Sequence, residues 1–209
     1  MGNRYIIPDI HGCYLTLRHM IESILKPDLG DQLIFLGDFI NKAPHSKKVL
    51  DYLMMLEKEG FNTCAAMGNH DKLLLDLYDD RINIRNFKEK GGDQTLKSFG
   101  VGLCRDIPQK YFKFIERLSP FIITGDYVIV HAGINFGADD PWKDFQSMMT
   151  SRDYHVREDQ SKFKKIIHGH QASPLKDILN MVLDKSATTL NLDNGCAIRK
   201  EKAWAIYLF

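Results

Sequence analysis

The chain has 209 residues, with 28 Lys and Arg against 27 Asp and Glu, for a formal net charge of +1. That balance argues against an electrostatic nucleic-acid binder, and 44% hydrophobic with 26% charged residues is the composition of a folded globular protein rather than a disordered or fibrous one. No apolar run is long enough to span a bilayer and MGNRYIIPDIHG has no signal-sequence core, so neither a membrane anchor nor secretion is expected.

Tyr5–Ile7 is a short β-rich run closed by Pro8. From Tyr14 to Leu25, the residues Leu17, Met20, Ile21 and Ile24 repeat at helical spacing. Leu33–Leu36 is a compact apolar run that stops at Gly37-Asp38, and Val49, Leu50, Leu53 and Leu56 again repeat as a helix does. Thr63–Met67 reads as a third buried strand ending at Gly68-Asn69. This β-α-β-α-β rhythm predicts a parallel sheet covered by helices. Asp71 to Leu118 reads as mostly helical with a break at Gly91-Gly92, and Phe121–Thr124 and Tyr127–Val130 flank a hairpin turn at Gly125-Asp126. Lys164–Ile167 is another strand. Ile178–Leu183, Thr188–Leu192 and Ala203–Phe209 look β-like and are expected to form an antiparallel meander. No repeat or linker divides the chain, so one domain over 1–209 is expected. Cys13, Cys64, Cys104 and Cys196 form no CxxC pair, which suits thiols in a reducing cytoplasm.

The chemistry lies at the strand ends. Asp9 and His11 come after the first strand, Asp38 after the second, Asn69 and His70 after the third, His131 after the hairpin, and His170 after the next strand. In α/β sheets, sites form where loops converge beyond the carboxyl ends of the strands. Carboxylates, an amide oxygen and imidazoles together suit a borderline divalent ion such as Mn²⁺, Fe²⁺ or Zn²⁺. A lone Asp-Ile-His-Gly is more often a solvated turn, and a lone Gly-Asn-His-Asp reads as Asn69 capping a helix from Asp71. Five such elements in one order, each after a strand, argue against chance.

The series PDIHG, GDFINKAPHS, GNHD, HAG and GHQ resembles the calcineurin-like metallophosphoesterases, and more narrowly the bacterial branch of the PPP-type phosphatases. Gly91-Gly92 with Thr95-Leu96, the segment Thr150-Ser151-Arg152-Asp153 and the late Asn191-Leu192-Asp193-Asn194-Gly195 agree with it. The resemblance implies an α/β/β/α sandwich of two mixed β-sheets flanked by helices, with two divalent metal ions, Mn²⁺ foremost, at one edge. It matches Asp9 and His11 to ligands of one metal, Asp38 to a bridging carboxylate, and Asn69, His131 and His170 to ligands of the other. His70 matches a general acid, and Arg152 a phosphate-clamping arginine.

The second motif departs from the family pattern Gly-Asp-x-x-Asp-Arg-Gly. Asn41 stands where a carboxylate would support the acid His70, and Lys42 where an arginine would grip phosphate bidentately. Reduced monoesterase activity, or a preference for better leaving groups, is expected. Pro8 replaces a glycine outside the ligand set. Asp193 is explained as a turn, His168 as a group behind the ligands, and His45 as a loop residue. His19, His155 and the lysines at 162, 164 and 165 read as surface, and Trp142 and Trp204 as packing residues. The leading reading is a serine/threonine phosphoprotein phosphatase that also acts on small phosphoesters, with no nucleic-acid or membrane partner. The alternatives are a bis(5'-nucleosyl)-tetraphosphate hydrolase, and a degenerate module that binds metal without turnover.

Overall fold

The computed structural model describes residues 2–152, 165–198 and 207–208. Strand β1 (Arg4–Ile7) runs parallel to β2 (Gln32–Phe35), and β2 runs parallel to β3 (Asn62–Ala65). Helix α1 (Tyr14–His19), continued by a π-helical turn over Met20–Leu25, makes the first crossover, and α2 (Ser46–Lys58) makes the second. Strand β8 (Tyr207–Leu208) adds antiparallel to β1, giving the order β3-β2-β1-β8.

Helices α3 (Asn69–Tyr78), α4 (Ile84–Glu89), α5 (Gly92–Phe99) and α6 (Gln109–Glu116) follow, broken at Gly91-Gly92 as expected. The hairpin β4 (Phe121–Thr124) and β5 (Tyr127–Val130) then starts a second sheet. After α7 (Phe145–Thr150), β6 (Lys165–His168) lies parallel to β5, and β7 (Thr189–Asn191) parallel to β6.

Alternation along the strands explains the layers. Tyr5, Ile7, Leu33 and Phe35 pack with Leu17, Leu50, Leu53 and Phe112 of the helices. Ile6 and Ile34 face the other way and meet Ile129, Ile167 and Leu190 of the second sheet. Val128, Val130 and Ile166, on that sheet's far side, are covered by Met148 of α7. The architecture is therefore helices, sheet, sheet, helices. Strands buried on both faces read as continuous apolar runs, because there is no wet face to interrupt them. Each fully buried Ile or Phe contributes about 1.5–3 kcal/mol to holding the two sheets and their helices together. No described helix is long and apolar enough to cross a membrane.

Two expectations are corrected. The C-terminal meander does not form, because Ile178–Leu183 is the body of helix α8 (Leu175–Leu183). Ile178 enters the inter-sheet core, Met181 and Val182 pack against it, and Leu175, Leu179 and Leu183 are exposed. Six apolar-rich residues fit a strand or a one-sided helix equally well, and Pro174 just before Leu175 starts the helix. β6, α8 and β7 thus form a β-α-β unit. The third strand is also less buried than expected, because β3 is the edge of its sheet. Of the run Ala203–Phe209 only Tyr207 and Leu208 are described, and His155, Asp153, Lys162, Lys164 and Trp204 lie outside the described residues.

Candidate active site

Parallel pairing within each sheet brings the carboxyl ends of β1, β2 and β3, and of β5, β6 and β7, to one edge of the sandwich. The loop after β1 is stitched to the loop after β2, since the amides of Ile10 and His11 donate to the Asp38 carbonyl at 3.1 and 2.7 Å. Asp71, on the first turn of α3, closes the third loop onto the second. Its carboxylate accepts from the amides of Asp38 (2.7 Å), Phe39 (2.9 Å) and Gly68 (3.1 Å). The helix begins at Asn69, so the capping role that a lone Gly-Asn-His-Asp would give Asn69 does not apply; the group that bonds back to the N-cap residue Gly68 is Asp71. This frees the Asn69 side chain for the site.

His11, Asp38 and His170 all hold left-handed backbone, with φ of 46°, 52° and 69°. Residues without glycine's freedom sit there at a cost of about 1–3 kcal/mol each, which the surrounding hydrogen bonds must sustain. Gly68 and Gly169 allow the loops to close: a Cβ at Gly68 would collide with Asp38, and one at Gly169 with Asp9.

The side chains converge on Asp38. Its Oδ2 lies 3.3 Å from His11 Nε2 and 3.5 Å from His131 Nε2, while its Oδ1 accepts from the His70 amide at 2.9 Å. His131 Nε2 also lies 3.2 Å from Asn69 Oδ1. His11 Nδ1 donates to the Ile40 carbonyl (3.1 Å) and His131 Nδ1 to the Leu36 carbonyl (2.8 Å). Those bonds place the proton on Nδ1 and turn the Nε2 lone pair into the site, as a metal-binding imidazole needs. Asp9 Oδ1 accepts from the His170 amide at 3.1 Å, but its buried Oδ2 has no hydrogen-bond partner among the described residues. An orphaned buried carboxylate oxygen is costly unless something cationic meets it.

Two triads have their ligand atoms within 4.8 Å of one another: His11, Asp38 and His70, and Asp38, His131 and His170. Asp38 belongs to both. The donor set therefore fits a pair of divalent ions sharing one carboxylate. Burial pushes His11 down to about 3, and His70 and His170 down to about 4, so all three are neutral at pH 7. Burial also opposes ionisation of Asp38, but His131, His11 and His70 around it, with the His70 amide, hold it well below the usual carboxylate range. Asp9 is pushed up by burial and by the nearby Asp193 and Asp38 carboxylates. A bound cation would relieve that repulsion.

Lys42 sits at the mouth, with Nζ donating to His11 Nε2 at 2.7 Å. Asn41 is fully buried: its Oδ1 accepts from Thr95 Oγ1 (2.7 Å), and its Nδ2 donates to His70 Nδ1 (3.0 Å). The amide of Asn41 is shared between Thr95 Oγ1 and Ser46 Oγ. Arg152 is exposed, close enough to His170 for its charge to act there, with its carbonyl accepting from Gln171 Nε2 at 2.8 Å. Every residue singled out for metal, phosphate or proton chemistry thus lies at this edge. Asp193 is buried in the turn anticipated for it, accepting from the Gly195 amide at 2.7 Å. His168 is buried at the end of β6, and its Nδ1 donates to the Gly169 carbonyl at 3.2 Å. His19 is exposed, and Trp142 packs against Phe121 with ring centroids 5.2 Å apart.

The sequence profile of the calcineurin-like phosphoesterases matches residues 4–193. The chain belongs to that family. A curated relative, the symmetrical bis(5'-nucleosyl)-tetraphosphatase of Buchnera aphidicola, is 39% identical over 98 residues, which is 46% of this chain and 33% of that protein. Curated relatives of the same name are matched over 24% to 43% of their length, so the chain spans less than half of each. A metallophosphoesterase from Sphaerobacter thermophilus superposes with a TM-score of 0.62 at 18% identity, covering all of this chain and 83% of that one. The cold-active protein-tyrosine phosphatase of a Shewanella species gives 0.67 at 13% identity, covering all of this chain and 75% of that one. At such identities these structures speak for the fold alone. Membership settles the α/β/β/α architecture and accounts for the order of the motifs. Asp71, the brace beneath that order, was hidden inside the GNHD string; its place three residues after Gly68 is the sequence signal that could have revealed it.

Proposed function

We propose that this chain is a metal-dependent hydrolase of phosphoric esters and anhydrides, with Asp9, His11 and Asp38 holding one divalent ion and Asp38, Asn69, His131 and His170 the other. The observation that carries this reading is Asp38 shared between two clusters of ligand atoms, with Asp9 Oδ2 buried 3.7 Å from His11 Nε2 and without a hydrogen-bond partner among the described residues; His70, which falls in the first cluster, is kept for the leaving group and not for the metal. When bound, two such ions activate water and polarise phosphoryl oxygens. Mn²⁺ suits this mixture of imidazole, carboxylate and amide oxygen. Lys42 beside His11, and Arg152 near His170, offset charge on the phosphoryl oxygens.

The contact between Asn41 and His70 points to the substrate class. An amide nitrogen can only donate, so His70 Nδ1 accepts and the neutral ring carries its proton on Nε2. His70 can then hydrogen-bond a departing oxygen, but it is a poor proton donor because burial outweighs the pull of Asp38 and an amide, not a carboxylate, sits on its Nδ1. A serine alkoxide needs that proton; a nucleotide phosphate leaving from an anhydride does not. Dinucleoside polyphosphates are therefore favoured over phosphoseryl proteins, in the direction of the curated relatives' names. The phosphoprotein reading becomes the competing arm of the test.

The test starts with hydrolysis of para-nitrophenyl phosphate with Mn²⁺, with and without chelator. Chelator-sensitive turnover is expected. Diadenosine tetraphosphate should then exceed a phosphoserine peptide in kcat/KM by at least about tenfold. The reverse preference would restore the phosphoprotein reading, and tight metal binding with no turnover would indicate a binding module.

A further inference from the structure

Asn69, alone of the proposed metal ligands, also lines a pocket of roughly 270 Å³ walled by α3, α7 and the turn before α5. Asn69, Lys72, Leu73 and Asp76 line it from one face of α3, as residues three, four and seven apart must. Lys90 projects from the α4–α5 turn, and Met149 and Thr150 come from α7, two residues before Arg152. The pocket thus runs from a ligand-type side chain, Asn69, outwards along cationic walls. Its single carboxylate, Asp76, is already matched by ion pairs with Lys72 and with Arg81, the latter at 3.4 Å. Lys90 has no carboxylate partner among the described residues, and its charge is felt at the His70 ring. A surplus of positive charge, in a recess next to the group that faces the leaving oxygen, suits an anionic leaving group.

We propose that this pocket is a subsite for the leaving half of the substrate, in which Lys90 and Lys72 bind the phosphate chain of a departing nucleoside polyphosphate while Leu73 and Met149 give it an apolar wall. The proposal rests on the anhydride reading above and adds the residues that select a long anionic leaving group over a short one. No covalent step is added: the cations bind charge that the P–O cleavage leaves on the departing phosphate. A bond from a charged donor is worth enough that losing Lys90 should cost about tenfold or more in binding.

The test compares Lys90→Glu and Lys90→Arg with the native chain on two substrates, diadenosine tetraphosphate and para-nitrophenyl phosphate, whose leaving group carries no phosphate chain. In Lys90→Glu the ratio of their kcat/KM values should fall at least tenfold, mainly through KM for the dinucleotide, and Lys90→Arg should restore most of it. An unchanged ratio would overturn the proposal. Calorimetric binding of inorganic tripolyphosphate to the Mn²⁺-loaded protein separates this proposal from the hydrolase reading. If the native chain hydrolyses neither substrate, that reading fails; the pocket still stands if tripolyphosphate binds and Lys90→Glu weakens it about tenfold, and falls if the two proteins bind alike.

Discussion

Asp9, His11, Asp38, Asn69 and His70 reach the centre on three consecutive loops of the first sheet that hydrogen-bond one another, whereas His131 and His170 arrive from separate strand ends of the second sheet. On the first side the backbone itself is the scaffold: the Asp38 carbonyl receives two amides, and Asp71 receives three. On the second side, position depends on how Ile129, Ile167 and Leu190 seat against Ile6 and Ile34. The first half is thus organised by a dense set of polar bonds among its own loops, and the second by the apolar layer between the sheets with a few long-range bonds, from the His170 amide to Asp9, the Gly169 amide to the His131 carbonyl and His131 Nδ1 to the Leu36 carbonyl. Asp38 joins them, so its replacement disturbs both halves at once.

Asp38→Asn removes the only carboxylate common to both triads. Loss of one well-placed electrostatic group commonly costs 10²–10³ in turnover, and Asp38 serves both halves, so a loss of about 10³ or more in kcat is expected. Metal analysis of the purified variant should show both ions reduced. If one ion were retained in full, the shared role would be wrong.

Asp71→Ala breaks only the first half, and without touching a ligand. It leaves three amide groups without their acceptor in a fully buried place. Unmet buried donors cost about 1–3 kcal/mol each, and relaxation recovers some of it, so a loss of about 3–5 kcal/mol is expected. For a chain of this size that lowers Tm by roughly 10 °C. A fall below about 2 °C would show that the loops hold their shape without the brace. Metal binding should suffer with it, because Asp71 holds the left-handed backbone at Asp38 directly, and His11 is tied to that residue through its amide on the Asp38 carbonyl.

The same contrast explains what could be read from the residues alone. Tyr5–Ile7 and Leu33–Leu36 are buried on both faces and end on glycine or acidic turns, so strand, strand end and proposed ligand coincide in the sequence. His131 was equally legible, directly after the apolar run ending at Val130, and so was His170, three residues beyond Ile167 and set off by Gly169. Ile178–Leu183 was not, since its apolar residues split between an inter-sheet contact and solvent, a division that only the folded neighbours decide. Asp71 looked like one letter of a helix start, and its three partners lie at positions 38, 39 and 68. The pocket walled by Lys72, Lys90 and Met149 brings together segments far apart in the chain, each beside a motif but with its lining residues mostly outside it. Asn41 and Lys42 were visible as departures, but the donor direction between Asn41 and His70 needed coordinates.

That direction supports the smallest and most selective prediction. His70 is pushed down to about 4 by burial, against the pull of Asp38, with Lys42, His131 and Lys90 adding to the fall. At pH 7 only about one ring in a thousand would then be protonated. Asn41→Asp puts a carboxylate on Nδ1, so Nδ1 must carry a proton and the cation is stabilised, which raises the His70 pKa. A raised pKa multiplies the protonated fraction by a constant factor well above both values and by less as the pH nears the raised one, so the variant's own turnover should grow from pH 8 to pH 6 while its fold gain over the native chain stays level or falls. On a phosphoserine peptide, which needs the proton, kcat should rise about three- to tenfold at pH 6; on diadenosine tetraphosphate it should change less than twofold, because its leaving phosphate is stable as an anion. Equal gains on both substrates would mean that Asn41 acts on the position of His70 rather than on its proton. No gain on either would mean that His70 does not serve the leaving group, and the preference for anhydrides would then need another cause, with the cations beside Asn69 the next to examine.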